Sequence, residues 1–413
     1  MKKRVFNAID LHKEDIVRIG ETVLNNPELG YKEYKTSALV KSEFEKLGIP
    51  YTDGLAITGV KGCIGNPDAK INICIIGELD AVKCYGHPYA NTETGAAHVC
   101  GHNAQIASML GAAYGLVKSG VLEELDGKVT FFAVPAEEFV ELEFRQQLKD
   151  DGKIEFFAGK QELIRIGAFD DVDIAMMVHS QAGLTKPEVF LGGTSLGFTA
   201  KNITFHGKAA HGSAPFEGVN ALNAAMLALM GIHANRETFR DEDKIRIHPI
   251  ITNGGELVNV VPSSTKIETY VRGARPEAIE DACRKVDNAV KAGAMAVGAE
   301  CEIQNIVGHL PLMQNSILTE IFAENAAAVV GEESIRYGID MTGSTDMGDL
   351  SQKIPCIHPT MGGFSGTAHG VDFKISDTEA AYVLPAKIMA ATVCDLLKCG
   401  AEKAIAVKNS FKK

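Results

Sequence analysis

The stretch Val129-Thr130-Phe131-Phe132-Ala133-Val134-Pro135-Ala136-Glu137-Glu138 is a nearly continuous apolar run that stops at a proline and two carboxylates. A short run of this kind suits a strand covered on both faces, as in parallel sheets. Parallel α/β sheets place their sites at the carboxyl ends of strands, where the two glutamates fall. Two other runs repeat the design: Ile71–Ile76 leads into Gly77-Glu78-Leu79-Asp80, and Asp173–Val178 leads into His179. Helical segments lie between them. Ala104–Lys118 carries Ile106, Leu110, Ala113 and Val117 on one stripe, and Gln161–Gly167 is a shorter helix. The alternation predicts an α/β fold with a mainly parallel sheet and helices on both faces.

Upstream, Asp10 to Leu47 reads as two helices broken at Asn25-Asn26-Pro27-Glu28-Leu29-Gly30, with Thr36 or Ser37 capping the second. The pattern changes near Gly192. Thr204–Gly207 (strand), Val219–Ile232 (helix), Lys244–Thr252 and Thr265–Arg272 (strands), Pro276–Ala294 (helix) and Cys301–Val307 (strand) describe a small α+β, ferredoxin-like layer. The expected organisation is a discontinuous main domain, residues 1–191 and 308–413, with residues 192–307 inserted in it. A last helix is expected over Asp377–Cys399, and the mixed charged and aromatic segment Glu141–Phe157 reads as a surface insertion.

A chain of 413 residues is long for one core, which agrees with two domains. Apolar residues make up 46%, and mean hydropathy is near zero, the balance of a soluble globular protein. A net charge of −12 argues against a nucleic-acid partner. No apolar run approaches the roughly 18 residues of a membrane helix, so no membrane partner is expected. Met1-Lys2-Lys3-Arg4 is basic but no apolar stretch follows it, and nine cysteines show no paired spacing. Both point to the reducing cytoplasm. Most of these thiols sit in apolar runs as small core residues.

Cys100 differs because of its neighbours in His98-Val99-Cys100-Gly101-His102-Asn103. A thiolate and an imidazole two residues apart at the mouth of a helix form a compact pair for a divalent metal. Asp80, Glu137, Glu138 and His179 fall at neighbouring strand ends, where they can complete a site for one or two ions. Each alone has a plainer reading: a Glu-Glu pair is commonly a solvated loop, and a histidine ending a strand is commonly structural. Thiolate and imidazole favour Zn²⁺, with Mn²⁺, Co²⁺ and Ni²⁺ open. A thiol redox centre is disfavoured, because no Cys-x-x-Cys accompanies Cys100.

The motifs together resemble the metal-dependent aminoacylase/carboxypeptidase amidohydrolases, the family of hippurate hydrolase and the auxin-conjugate hydrolases. The resembling segments are Asn26–Tyr31, Glu78–Ala81, His98–Asn103, Pro135–Glu138, His211–Pro215 and Asn259–Pro262. The resemblance implies cleavage of the amide bond of N-acyl or aminoacyl amino acids, including dipeptides. It makes Cys100 a thiolate bridge between two metals, with His102, Glu138, His179 and His369 as further ligands. Glu137 becomes the general base and Asp80 the residue that orients a ligand. It makes His211 of the inserted domain the oxyanion stabiliser, supplied in related enzymes by the partner subunit. Asn259 and Arg272 hold the substrate carboxylate. It also implies that the inserted domain is a lid and a homodimer surface.

Three departures stand beside it. Asn103 replaces the usual Asp, so a neutral amide is expected to alter the metal site. Glu141–Phe157 replaces a Gly-rich stretch. Gly343-Ser344-Thr345-Asp346-Met347-Gly348-Asp349 is similar to the branch of the aminobenzoyl-glutamate utilization proteins and certain dipeptidases. The first two leave an alternative open, a non-catalytic relative that binds a small ligand.

Overall fold

The structure is a computed structural model that describes residues 1–338 and 340–411. It divides into two compact units, one of Met1–Thr194, Met313–Asp340 and Asp349–Lys413, the other of Ser195–Leu312 and Met341–Gly348. Residues 308–312 and 341–348, which the sequence groups with the main domain, therefore pack with the second unit.

The larger unit is built on a six-stranded sheet in the order Tyr51–Leu55, Gly59–Gly65, Lys128–Val134, Asn72–Glu78, Ile174–Met176, Cys356–Ile357. The last four are parallel, and the first two add an antiparallel edge. Every residue of Asn72–Glu78 is buried, as the unbroken apolar run requires. Glu78 pairs with Val134, so Asp80 and the Glu137–Glu138 pair leave adjacent parallel strands at the same level. A second sheet orders Ile335–Tyr337, Val189–Leu191, Thr360–Met361 and His179–Ser180.

Helix His102–Lys118 packs on strand Asn72–Glu78 and against Lys2–Leu11, Lys13–Leu24 and Leu384–Leu397. Residues 102–116 are all buried, so the helix is a core rod rather than the one-striped helix expected. The N-terminal region holds three helices, the third being Tyr34–Leu47. Neither Thr36 nor Ser37 caps it. Glu28, from the preceding turn, accepts the Lys35 and Thr36 amides at 2.9 and 3.0 Å, placing a carboxylate at the positive end of the helix. Glu141–Phe157 is not a mere surface insertion either. It forms helix Leu142–Asp150 and buries Arg145, Leu148, Ile154 and Phe157.

The expected last helix is a π-turn, Glu379–Val383, running into Leu384–Leu397. Joined, these 19 residues are long and apolar enough to cross a membrane, contrary to the expectation that no run comes near that length. They are 89% buried inside the unit, which accounts for their hydropathy as core.

The second unit runs strand Gly197–His206, helix Ala221–Ala234, strands Arg246–Ile247 and Ile250–Asn253, strand Ser264–Gly273, helix Pro276–Val297, strand Glu300–Val307. Its sheet is antiparallel throughout, with Gly197–His206 between Ser264–Gly273 and Glu300–Val307. The expected single strand Lys244–Thr252 is split at His248-Pro249, where proline has no amide to donate. The two helices lie together on the sheet over Ile203, Phe205, Ile267 and Val271.

Phe131, fully buried at the centre of the larger sheet, carries a large share of its packing. Phe131→Ala is expected to destabilise that unit by about 3–5 kcal/mol. The measurement is the shift of its urea transition, and a loss under ~1 kcal/mol would contradict this packing.

Candidate metal centre

Gly101 precedes helix His102–Lys118 at φ 83°, and a Cβ there would lie 2.6 Å from Ser180 Cβ. Only glycine fits that turn, which presents Cys100 and His102 to the same region. Ser180 donates to the Cys100 carbonyl at 2.6 Å, joining this turn to the His179–Ser180 strand. Cys100 Sγ lies 3.5 Å from His179 Nε2. His369, at φ 61°, donates its amide to the Val99 carbonyl at 2.9 Å, and its Nε2 lies 3.2 Å from Glu138 Oε1.

His102 is fully buried. Its Nδ1 lies 2.9 Å from the Asp80 carbonyl and 3.3 Å from Asp80 Oδ1, which fixes the ring. Its Nε2 lies 3.1 Å from Glu78 and 4.0 Å from Glu137, yet makes no well-aligned hydrogen bond. Glu138 Oε1 makes none either. Asp80 Oδ2 accepts the Glu138 amide at 2.9 Å.

Three groups have donor atoms within 4.8 Å of one another: Cys100 with His102 and His179; Cys100 with Glu138 and His369; and Glu78 with His102 and Glu137. Thiolate, imidazole and carboxylate donors, two of them buried without an aligned partner, fit divalent metal.

The charges balance only tightly. Burial and Glu138 push the Cys100 thiol up, but His179 and His102 outweigh them and bring it to about 6. Burial opposes protonation of His102, and Glu78 and Cys100 reverse this, holding its pKa well above the usual histidine value. The neighbouring Cys100 and Glu138 raise His369 to about 11. Burial disfavours charge on Glu78, but Lys160 and the two histidines hold its pKa well below the carboxylate range.

The larger unit thus gathers Asp80, Cys100, His102, Glu137, Glu138, His179 and His369. The second unit holds His211, Asn259 and Arg272. His211 and Asn259 lie on paired backbones, with the Gly212 amide donating to the Asn259 carbonyl at 2.6 Å and His211 Nδ1 lying 2.8 Å from Ser213 Oγ. Arg272 stands on strand Ser264–Gly273 over the rings of Phe198 and Tyr270, and donates to Ser344 Oγ at 2.7 Å.

Asn103 does not bear on the donors. Its Nδ2 faces the Gly20 carbonyl and the Tyr382 hydroxyl at 3.3 and 3.2 Å, inside the helical core. Residues the sequence reading passed over surround the donors instead. Lys160, fully buried, donates to Glu78 at 2.5 Å, and Gln105 donates to the other Glu78 oxygen at 2.8 Å. The ring of buried His358 lies tilted against that of His179, centroids 5.3 Å apart. Buried Glu33, its pKa raised to about 7 by burial and by Asp80, accepts the Ala136 amide at 2.8 Å. Glu78 opens the legible segment Glu78–Ala81; Lys160, Glu33 and His358 carry no local signal.

Residues 74–395 match the model of peptidase family M20/M25/M40. The chain belongs to that family of metallopeptidases, hydrolases of amide bonds. Xaa-Arg dipeptidase of Mus musculus is 27% identical over 87% of this chain and 79% of its own length. The IAA-amino acid hydrolase ILR1-like 5 of Arabidopsis thaliana is 25% identical, over 82% and 76%. A Bacillus subtilis dinuclear metal binding peptidase of the M20 family superposes with a TM-score of 0.74 at 21% identity, covering 94% of this chain and 99% of that one. These are the relatives that the motifs led one to expect.

In protein stripped of metal, alkylation of Cys100 by iodoacetamide should rise through pH 6 and level off by about pH 7.5. An ordinary thiol rises through about 8.5. Added Zn²⁺ should suppress the reaction at least about tenfold. Mass spectrometry of the Cys100 peptide reads both effects; an ordinary profile without metal protection would refute the site.

Proposed function

We propose that the protein cleaves the amide bond of N-acyl or aminoacyl amino acids, dipeptides among them, at a centre of one or two divalent ions, Zn²⁺ first among them. The observation that carries this is the Glu137–Glu138 pair. Two adjacent carboxylates leave one strand end, Glu138 turned to His369 and Cys100, Glu137 turned to His102. They can divide the labour, one as ligand and one as base.

Cys100, His102, Glu138, His179 and His369 would hold the ions, and Asp80 keeps the His102 ring oriented. A bound cation supplies Lewis acidity and makes water a better acid. Glu137 takes a proton from the attacking water and returns it to the leaving amine. His211 polarises the scissile carbonyl. Arg272, with its fork aligned by Ser344 and the flanking rings, and Asn259 grip the substrate carboxylate. The dipeptidase and amino-acid conjugate hydrolase named above support this substrate class. The non-catalytic alternative drew partly on Asn103, whose side chain turns away from the donors.

We further propose a homodimer through the second unit, acting as lid. Phe216, Met226, Met230, Ile250, Leu257 and Val258 are exposed apolar side chains on that unit, and Ile250–Asn253 is a strand paired on one side only.

Glu137→Gln should lower kcat on N-acyl amino acids and dipeptides by about 10²–10⁴-fold with metal content unchanged. Wild-type turnover by this variant, or no turnover by the metal-loaded parent across the panel, would sink the reading. Sedimentation should give a dimer for the parent and a monomer for Met230→Asp/Ile250→Asp; a monomeric parent would remove the dimer.

A further inference from the structure

Arg145 is the largest fully buried side chain among the described residues, and it lies in the segment 141–157 that departs from the family pattern. Its guanidinium has no carboxylate partner among the described residues. Nη1 donates to the Phe157 carbonyl at 2.7 Å and Nη2 to the Glu138 carbonyl at 2.5 Å; Nε has no partner, and the group lies 5.4 Å from the centre of the Tyr31 ring. A buried cation answered by two backbone carbonyls and an aromatic face is expensive. One carbonyl could be satisfied far more cheaply by an amide or a water.

What the fork holds is the exit of the Glu137–Glu138 elbow, and the other bonds of the elbow are equally deliberate. Ala136 has φ 54°, a left-handed backbone at a residue that is not glycine. Its amide is held by buried Glu33, whose other oxygen takes the Thr58 hydroxyl at 2.6 Å. Its carbonyl accepts the Gly159 amide at 3.1 Å. The Glu138 amide is held by Asp80. Gly30 makes room for the clamp: a Cβ there would lie 2.5 Å from Arg145 Nη2 and 2.9 Å from Ala136 Cα. Tyr31 closes the assembly by donating its hydroxyl to the Phe156 carbonyl at 3.1 Å. The guanidinium therefore links the elbow to the strand of chain that runs on through Gly159 to Lys160 and Glu78.

We propose that Arg145 is a positioning residue for the Glu137–Glu138 pair, and that segment 141–157 belongs to the active-site apparatus. It acts through the Glu138 carbonyl, setting the direction in which both carboxylates leave the backbone. The proposal rests on the reading of Glu137 as base and Glu138 as ligand. Its geometric core, a backbone held by one side chain, can be measured without turnover.

The test uses the full-length metal-loaded protein with Arg145→Lys and Arg145→Met. Lysine keeps the charge but loses the fork, so it can hold one carbonyl and not both. Both variants should lower kcat roughly 10–100-fold with KM within about twofold, methionine more than lysine. Amide hydrogen exchange over 136–139 should quicken by at least roughly tenfold in both, with the rest of the sheet unchanged. Wild-type kcat together with unchanged exchange would overturn the proposal, as would a uniform rise in exchange across the unit, which marks a packing role. If Arg145→Met does not fold, Arg145→Lys decides alone. If the parent hydrolyses no amide, the functional reading fails and the exchange arm still decides whether Arg145 holds the elbow. Glu137→Gln separates the two, since it should lose turnover while keeping the parent's exchange pattern.

Discussion

Four carboxylates, Glu78, Asp80, Glu137 and Glu138, leave two adjacent parallel strands, all buried, and crowd a thiol and three imidazoles, of which His369 is half exposed. So many anionic groups cannot stay buried without compensation, because each unpaired buried charge costs several kcal/mol. The compensation is visible. Lys160 neutralises Glu78, and protons are drawn onto His102 and His369 far more strongly than free histidine would hold them. The thiol, like Glu78, is driven the other way, toward its anion. A divalent cation held by these donors would do what those protons do, so binding it would release them. The surrounding architecture can be understood as what keeps these groups from moving apart: glycine at 101, Asp80 on the His102 ring, and the hydrogen-bonded elbow at 136–138.

How much of this was legible follows from where each signal resides. The three long apolar runs are strands because a doubly covered strand writes itself as a continuous block, and the groups at their ends follow from parallel topology. Cys100 and His102 were legible as a pair; His369 needed the resemblance, since nothing in Thr367-Ala368-His369-Gly370 distinguishes it locally. Glu33 and Arg145 were illegible for a physical reason. A charged residue reads as surface unless its partner can be identified, and theirs are uncharged groups far along the chain or on the backbone; Glu33 meets Ala136 across 103 positions. Helix His102–Lys118 misled in the opposite sense, since a rod packed on all sides has no polar stripe to set its phase. The split at Pro249 was available in the sequence and outweighed by the apolar residues around it.

The departures from the family pattern sort themselves by direction. Consecutive helical positions point about 100° apart, so His102 can face the donors while Asn103 faces the core. Asn103 meets Tyr382, which donates to Glu21 at 3.0 Å, a tie between the core helices that leaves the donors untouched. A change of charge next to a ligand in sequence is thus not a change of charge next to the metal site in space.

The altered segment Gly343–Gly348 makes the same point from the other unit. It packs there, and Ser344 holds the guanidinium of Arg272 beside the stacked rings of Phe198 and Tyr270. That contact aims the arginine that we assign to the substrate carboxylate. Segment 141–157, for its part, brings a buried cation to the backbone of the glutamate pair without adding a side chain to the donor set. In the reading proposed above, the segments that depart from the family pattern bear on the groups that aim a base and a substrate anchor. Metal binding at these residues would constrain a sequence more narrowly than the choice of amide, because a coordination set tolerates few donor types. The orientation of a carboxylate or a guanidinium can be secured by many different neighbours.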